Sequence, residues 1–165
     1  MKEILRSFAT YHIWANQKLM DLVLSLSEEK QKAEVPSSFN SLYKTALHMW
    51  NAESIWWQRI TSPSTIVPPQ NNFDGTMQDI VNSMELQSQQ WLAWINEMTD
   101  ESLLEQLHYK TLKGESFSQP LKDVALHIFN HGTYHRGQIV NMFRQLGVTS
   151  AIPQTDYTFW SRNNN

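Results

Sequence analysis

The sequence predicts an all-α fold, a four-helix bundle with one short β-hairpin between helices 3 and 4. Three observations predict it. Apolar residues recur at three- and four-residue spacing in four long segments, residues with capping or turn chemistry stand at the segment ends, and the period changes once, around residues 107–117. At 165 residues, the chain reads as a single domain over residues 1–165, long enough to bury about two-thirds of the surface its unfolded form exposes.

The first helix follows from Ile4, Leu5, Phe8, Ala15, Leu19, Leu22, Val23 and Leu26, and ends near Ser27. A polar link containing Pro36 leads to Asn40 or Ser41, either of which can cap a second helix through Leu42, Met49, Trp56 and Ile60, stopped by Pro63. Pro68, Pro69, Asn71 and Asn72 form a loop. Asp74-Gly75-Thr76 starts a third helix carrying Ile80, Met84, Trp91, Trp94, Ile95 and Met98, which Thr99-Asp100-Glu101 breaks or re-caps. Leu107 to Thr111 alternates weakly, and Lys113-Gly114 before Glu115-Ser116-Phe117 marks the hairpin. Pro120 suits the first turn of the last helix, which carries Leu121, Val124, Ile128, Ile139, Met142, Phe143 and Leu146 until Gly147 ends it. Pro153 to Trp160 reads as an extended or briefly helical tail packing its aromatics on the bundle, with Ser161 to Asn165 fraying.

Composition narrows the chemistry. With no cysteine there is no disulfide, thiolate metal site or cysteine nucleophile, so a metal must be held by nitrogen and oxygen. The 13 basic and 16 acidic residues include no basic run, which argues against a nucleic-acid partner, since phosphate neutralisation dominates such binding. No stretch reaches the length of a membrane span and the N-terminus lacks a signal-peptide core, so a cytoplasmic protein is expected. Most of the seven tryptophans are expected in the core, with some lining a pocket.

Within the last helix, His131 and His135 stand four residues apart, one turn on the same face, where two imidazoles can converge on one metal ion. On a wheel of about 100° per residue centred on Ile128, His135 falls inside the apolar stripe, His131 about 60° to one side and His127 about 100° away at its edge. His127 and His135 lie about 12 Å apart along the axis, too far to share an ion whose nitrogen bonds are about 2.1 Å. A third ligand must come from another helix. His48 is the candidate, while His12, inside the first helix's apolar stripe, is an open competitor by spacing; His108, in the hairpin, reads as exposed. A site of three neutral imidazoles leaves positions for water or substrate and accepts zinc, nickel, iron, copper or cobalt. Glu53, Asn130 or backbone carbonyls are the expected acceptors for the outward ring nitrogens. Arg136 and Gln138 read as surface and helix-pairing residues, and Gly132 and Gly137 as permitting close approach on a crowded face.

Tyr11-His12-Ile13-Trp14-Ala15-Asn16, Leu42 to Glu53 with His48, His131-Gly132-Thr133-Tyr134-His135-Arg136-Gly137-Gln138-Ile139 and the tail Thr155-Asp156-Tyr157 together resemble the DinB-like, or YfiT-like, four-helix-bundle metal proteins. The resemblance covers nearly the whole chain. It implies His48, His131 and His135 as the metal ligands, demoting His12 and His127, and it implies a homodimer and a divalent metal, zinc or nickel being commonest. Relatives include transferases and isomerases using low-molecular-weight thiols such as bacillithiol or mycothiol. A metal activates such a thiol as thiolate, and a chain without cysteine must take its sulfur nucleophile from a cosubstrate. The expectation is a metal-dependent thiol transferase acting on a small electrophile in a tryptophan-lined pocket. The alternatives are a hydrolase activating water at the metal with Glu53 as base, and a non-enzymatic stress-related metal-binding protein.

Overall fold

The computed structural model describes residues 1–61 and 66–164. The expected stop at Pro63 lies outside the described residues. Four long helices, α1 (Lys2–Leu24), α3 (Leu42–Thr61), α4 (Met77–Glu97) and α5 (Leu121–Gln145), form the bundle, with a hairpin of β1 (Gln106–Lys110) and β2 (Ser116–Pro120) between α4 and α5. Two short helices complete it: α2 (Glu28–Lys32) and α6 (Tyr157–Asn164).

The ends are set by local chemistry. Ser41 Oγ accepts from the Lys44 amide at the start of α3, and Thr76 and Asp79 cap α4 reciprocally. α5 closes with Gly147 at φ 75°, its amide bonding Arg144 O while the Val148 amide bonds Phe143 O. That paired closure needs the left-handed conformation glycine adopts freely.

Two segments depart from the sequence expectation. The polar link after Ser27 contains α2, capped by Ser27 and carrying an exposed Glu28–Lys32 pair one turn apart. Ser161 to Asn164 are helical rather than frayed, because Trp160 is buried at 6% exposure and Asn163 and Asn164 fold back to donate to the Phe159 and Trp160 carbonyls.

Around the bundle, α1 packs on α4 and α5, and α3 packs on α4 and α5. The first and second long helices therefore face each other across a diagonal, as do the third and fourth. This arrangement puts α3 beside α5, so that a histidine of one can meet a pair on the other. In an up-and-down bundle consecutive helices are neighbours instead.

Along the bundle the core falls into two apolar layers. One gathers Leu19, Met20, Val23, Leu42, Met49, Ile80, Met84, Ile139, Met142 and Phe143. The other gathers Leu5, Ala9, Trp91, Ile95, Leu103, Val124, Ala125, Ile128 and Phe129. On each of α1, α4 and α5, buried polar residues stand between the two sets: Asn16 and His12, Ser88, and Arg136. Of the tryptophans only Trp91 and Trp160 are buried, Trp91 completely. The other five are half-buried, because an indole on the flank of a stripe covers the core with one face and meets solvent with the other.

Candidate metal centre

The seam between α3 and α5 brings His48, His131 and His135 together, with one ligand nitrogen from each within 4.8 Å of the others. His131 Nε2 lies 3.0 Å from His48 Nε2 and 3.0 Å from His135 Nε2. His48 and His131 are half-buried and His135 is buried. Two nitrogens bonded to one ion at about 2.1 Å are at most about 4.2 Å apart, so both close pairs fit a shared cation.

The electrostatics favour the same use. Desolvation, with His135 adding repulsion, pushes the His48 imidazole down to about 4. Desolvation, followed by His135 and His48, pushes His131 down to about 3. Burial also lowers His135, and its hydrogen bond to Gln138 works the other way. All three rings are neutral near neutral pH, the form that ligates metal. His131 Nε2 takes part in both 3.0 Å contacts and offers either one hydrogen or one lone pair, so only one of the two can be a well-formed hydrogen bond. A cation satisfies all three lone pairs at once.

Two neighbours organise the rings. Gln138 Oε1 sits 2.7 Å from His135 Nδ1, an amide oxygen that can only accept, so Nδ1 carries the hydrogen and the Nε2 lone pair faces the cluster. Phe39, from the link before α3, stacks on His48 at 3.9 Å between ring centroids and meets His135 edge-on at 5.7 Å. The seam, the neutral rings and the fixed tautomer make a nitrogen-only cluster able to hold a metal ion, and the chain matches the family model described as DinB family over residues 1–164.

The chain belongs to the DinB family. The protein named Protein DinB from Bacillus subtilis (strain 168) is 26% identical over 154 residues, spanning 89% of this chain and 87% of that one. A DinB-like protein from Bacillus cereus ATCC 10987 shares the fold at TM-score 0.67 and 21% identity, over 88% of this chain and 91% of that one. YfiT from Bacillus subtilis shares it at TM-score 0.63 and 13% identity, over 89% of this chain and 90% of that one. YfiT is described as a probable metal-dependent hydrolase with an unusual four-helix bundle topology.

In this DinB-family chain the remaining candidates lie elsewhere. His12 is 1% exposed and belongs to a separate buried network. Arg136 Nη1 donates toward His12 Nδ1 at 3.2 Å, which leaves His12 Nε2 to donate to Glu53 Oε1 at 2.8 Å. Ser88 Oγ donates to Glu53 Oε2 at 2.9 Å, and Arg136 also donates to Asn16 Oδ1 at 2.9 Å and Thr133 Oγ1 at 2.7 Å. The carboxylate oxygens of Glu53 thus accept from His12 and Ser88, and among the described residues no ring of the triad donates to it. Arg136, expected on the surface, is 3% exposed. It enters the interior because His12, Asn16 and Thr133 supply its acceptors, with the Glu53 carboxylate reached only through His12.

Asn130 and His127 are exposed on α5, and His108 is exposed on β1. His127 still stands next to the triad, its ring centroid 5.9 Å from that of His131. Gly132 makes the close approach its type suggests, since a Cβ there would overlap the His12 ring. Gly137 does not: a Cβ there meets nothing within 4 Å. Sequence reading missed Gln138 as the ring-orienting acceptor, although its spacing of three from His135 was a usable signal. Phe39 gave none, being one aromatic in a polar link. Among the described residues no helix is long and apolar enough to cross a membrane.

Proposed function

We propose that His48, His131 and His135 hold one divalent cation, zinc or nickel, and that the protein uses this centre to transfer a low-molecular-weight thiol, such as bacillithiol, to a small electrophile. The observation that carries the reading is the triad itself: three neutral imidazoles from two helices, partly open to solvent, with the nearest buried carboxylate committed to another network. A bound divalent cation would supply Lewis acidity, stabilising the thiolate form of a coordinated thiol. The chain's own contribution is to bind the cation through Nε2 atoms, to orient His135 through Gln138, and to cover one side with Phe39. A thiol nucleophile suits a centre whose one buried carboxylate, among the described residues, is bonded to other side chains, and a chain with no cysteine has to take its sulfur from a cosubstrate. The same reading makes the protein a cytoplasmic homodimer, for which light scattering gives the mass of two chains.

A second reading, metal-dependent hydrolysis, draws on the description of YfiT, and in this chain it operates without Glu53 as base. The test is metal content of protein purified without affinity-tag nickel, beside His48→Ala and His135→Ala, followed by thiol consumption with a test electrophile. Near-stoichiometric metal lost in both variants, with accelerated thiol loss in the parent, supports the transferase. Ester cleavage that needs no thiol selects hydrolysis. No metal after reconstitution with zinc and nickel overturns both.

A further inference from the structure

We propose that Arg59 and the aromatic rings around it form an oxyanion-recognition site for a carboxylate-bearing, planar ligand, on the stretch of the α3–α5 seam leading to the triad. Arg59 lies in the last turn of α3 and is 7% exposed. Its guanidinium carbon stands 4.3 Å from the Trp56 ring centroid and 4.9 Å from that of Tyr109 on β1. Among the described residues it has no carboxylate partner, and its Nε is buried without an acceptor. Arg136, more deeply buried, is instead served by Asn16, Thr133 and His12. A buried guanidinium N–H without an acceptor is costly, and ring faces attract the cation but accept none of its in-plane hydrogens. Desolvation lowers the affinity of Arg59 for its proton, yet arginine stays cationic, so the buried Nε–H calls for an acceptor in the guanidinium plane, and an anion is the acceptor that also answers the charge.

The surroundings define the ligand. Trp56 is 4.9 Å from Tyr109 and 5.4 Å from His127, and His127 is 5.9 Å from His131, all between ring centroids. A line of ring contacts therefore runs from Arg59 to the metal centre. Guanidinium geometry matches a carboxylate bidentately, and ring faces suit a flat apolar body. Assigning this ligand as the electrophilic substrate rests on the triad being the reaction centre, whereas anion binding at Arg59 does not.

The experiment separates the two. Benzoate, with benzamide as the uncharged control, is titrated into ¹⁵N-labelled protein while the indole N–H signal assigned to Trp56 is followed. The expected result is saturable benzoate binding that shifts Trp56, is retained in His48→Ala, weakens at least tenfold in Arg59→Gln and recovers in part in Arg59→Lys, with benzamide weak throughout. Melting temperatures of the Arg59 variants show that loss of binding is not loss of fold. Absence of benzoate binding in the parent, or binding unchanged in Arg59→Gln or matched by benzamide, overturns the proposal. Benzoate binding lost in His48→Ala also overturns it, because the anion would then be reading the metal centre.

Discussion

Gly132 on α5 lies flat against the imidazole of His12 on α1: a Cβ added to it would overlap His12 Cε1 and stand 2.8 Å from Nδ1. The missing side chain is what lets α1 carry a buried histidine opposite α5. Gly132→Ala gains the helix propensity of alanine, about 1 kcal/mol, but must displace a ring held by Glu53 and Arg136. Overpacking of a well-filled interior costs about 1–3 kcal/mol, and with the His12 ring held at both nitrogens the cost falls toward the upper end, so a net loss of up to about 2 kcal/mol and a lower denaturation midpoint are expected. Adding His12→Ala to Gly132→Ala removes the clash, and the two effects come out less than additive in a double-mutant cycle. Strict additivity would mean that the two residues do not meet.

Gly137 gives the opposite sign on the same helix. It lies in the interior of α5, is exposed, and a Cβ there meets nothing within 4 Å. Gly137→Ala is therefore expected to stabilise by up to about 1 kcal/mol, because only the backbone-entropy term of glycine is removed. Chemical denaturation read by circular dichroism checks it. A loss of stability would show that glycine is needed there for a contact the isolated chain does not make.

Glu53, His12 and Arg136 act as one buried unit, with His12 bridging carboxylate and guanidinium. Removing one charge strands the other in the interior, which costs about 3–5 kcal/mol. Glu53→Gln and Arg136→Met are each expected to lower stability by that order, while the double variant loses much less than the sum. Because Glu53 is committed to His12 and Ser88, Glu53→Gln should leave stoichiometric metal binding intact. Loss of metal from a folded Glu53→Gln variant would place the carboxylate at the triad after all.

Much of the fold was legible because helical period, capping residues and the hairpin signal are local properties. Gly147 could be read in place, while the caps Ser41 and Thr76 fall within the segments read as starts, Asn40 or Ser41 and Asp74-Gly75-Thr76. The order of helices around the bundle could not, since a stripe shows which face is buried and not which neighbour buries it. For the same reason spacing alone could not choose between His48 and His12; the resemblance selected His48, and the fold seats it with His131 and His135. Arg136 was misread because two of its three acceptors, His12 and Asn16, come from α1, and no local pattern shows that neighbour.

Gln138 offers the sharpest test of how the triad is organised. Its Oε1 fixes the hydrogen of His135 on Nδ1, and its Nε2 donates to Ser38 Oγ at 3.3 Å, so the amide itself is held. Outer partners of ligating histidines typically account for about 10–100-fold in metal affinity. Gln138→Ala is expected to weaken zinc binding within that range with little change in the melting temperature of metal-free protein, since Gln138 is only half-buried. Gln138→Glu keeps an acceptor at the same reach and should restore most of the affinity, whereas Gln138→Lys offers only donors and should not. Competition with a chromophoric chelator measures all four proteins. Equal affinity across the series would mean that the ring orients itself without Gln138.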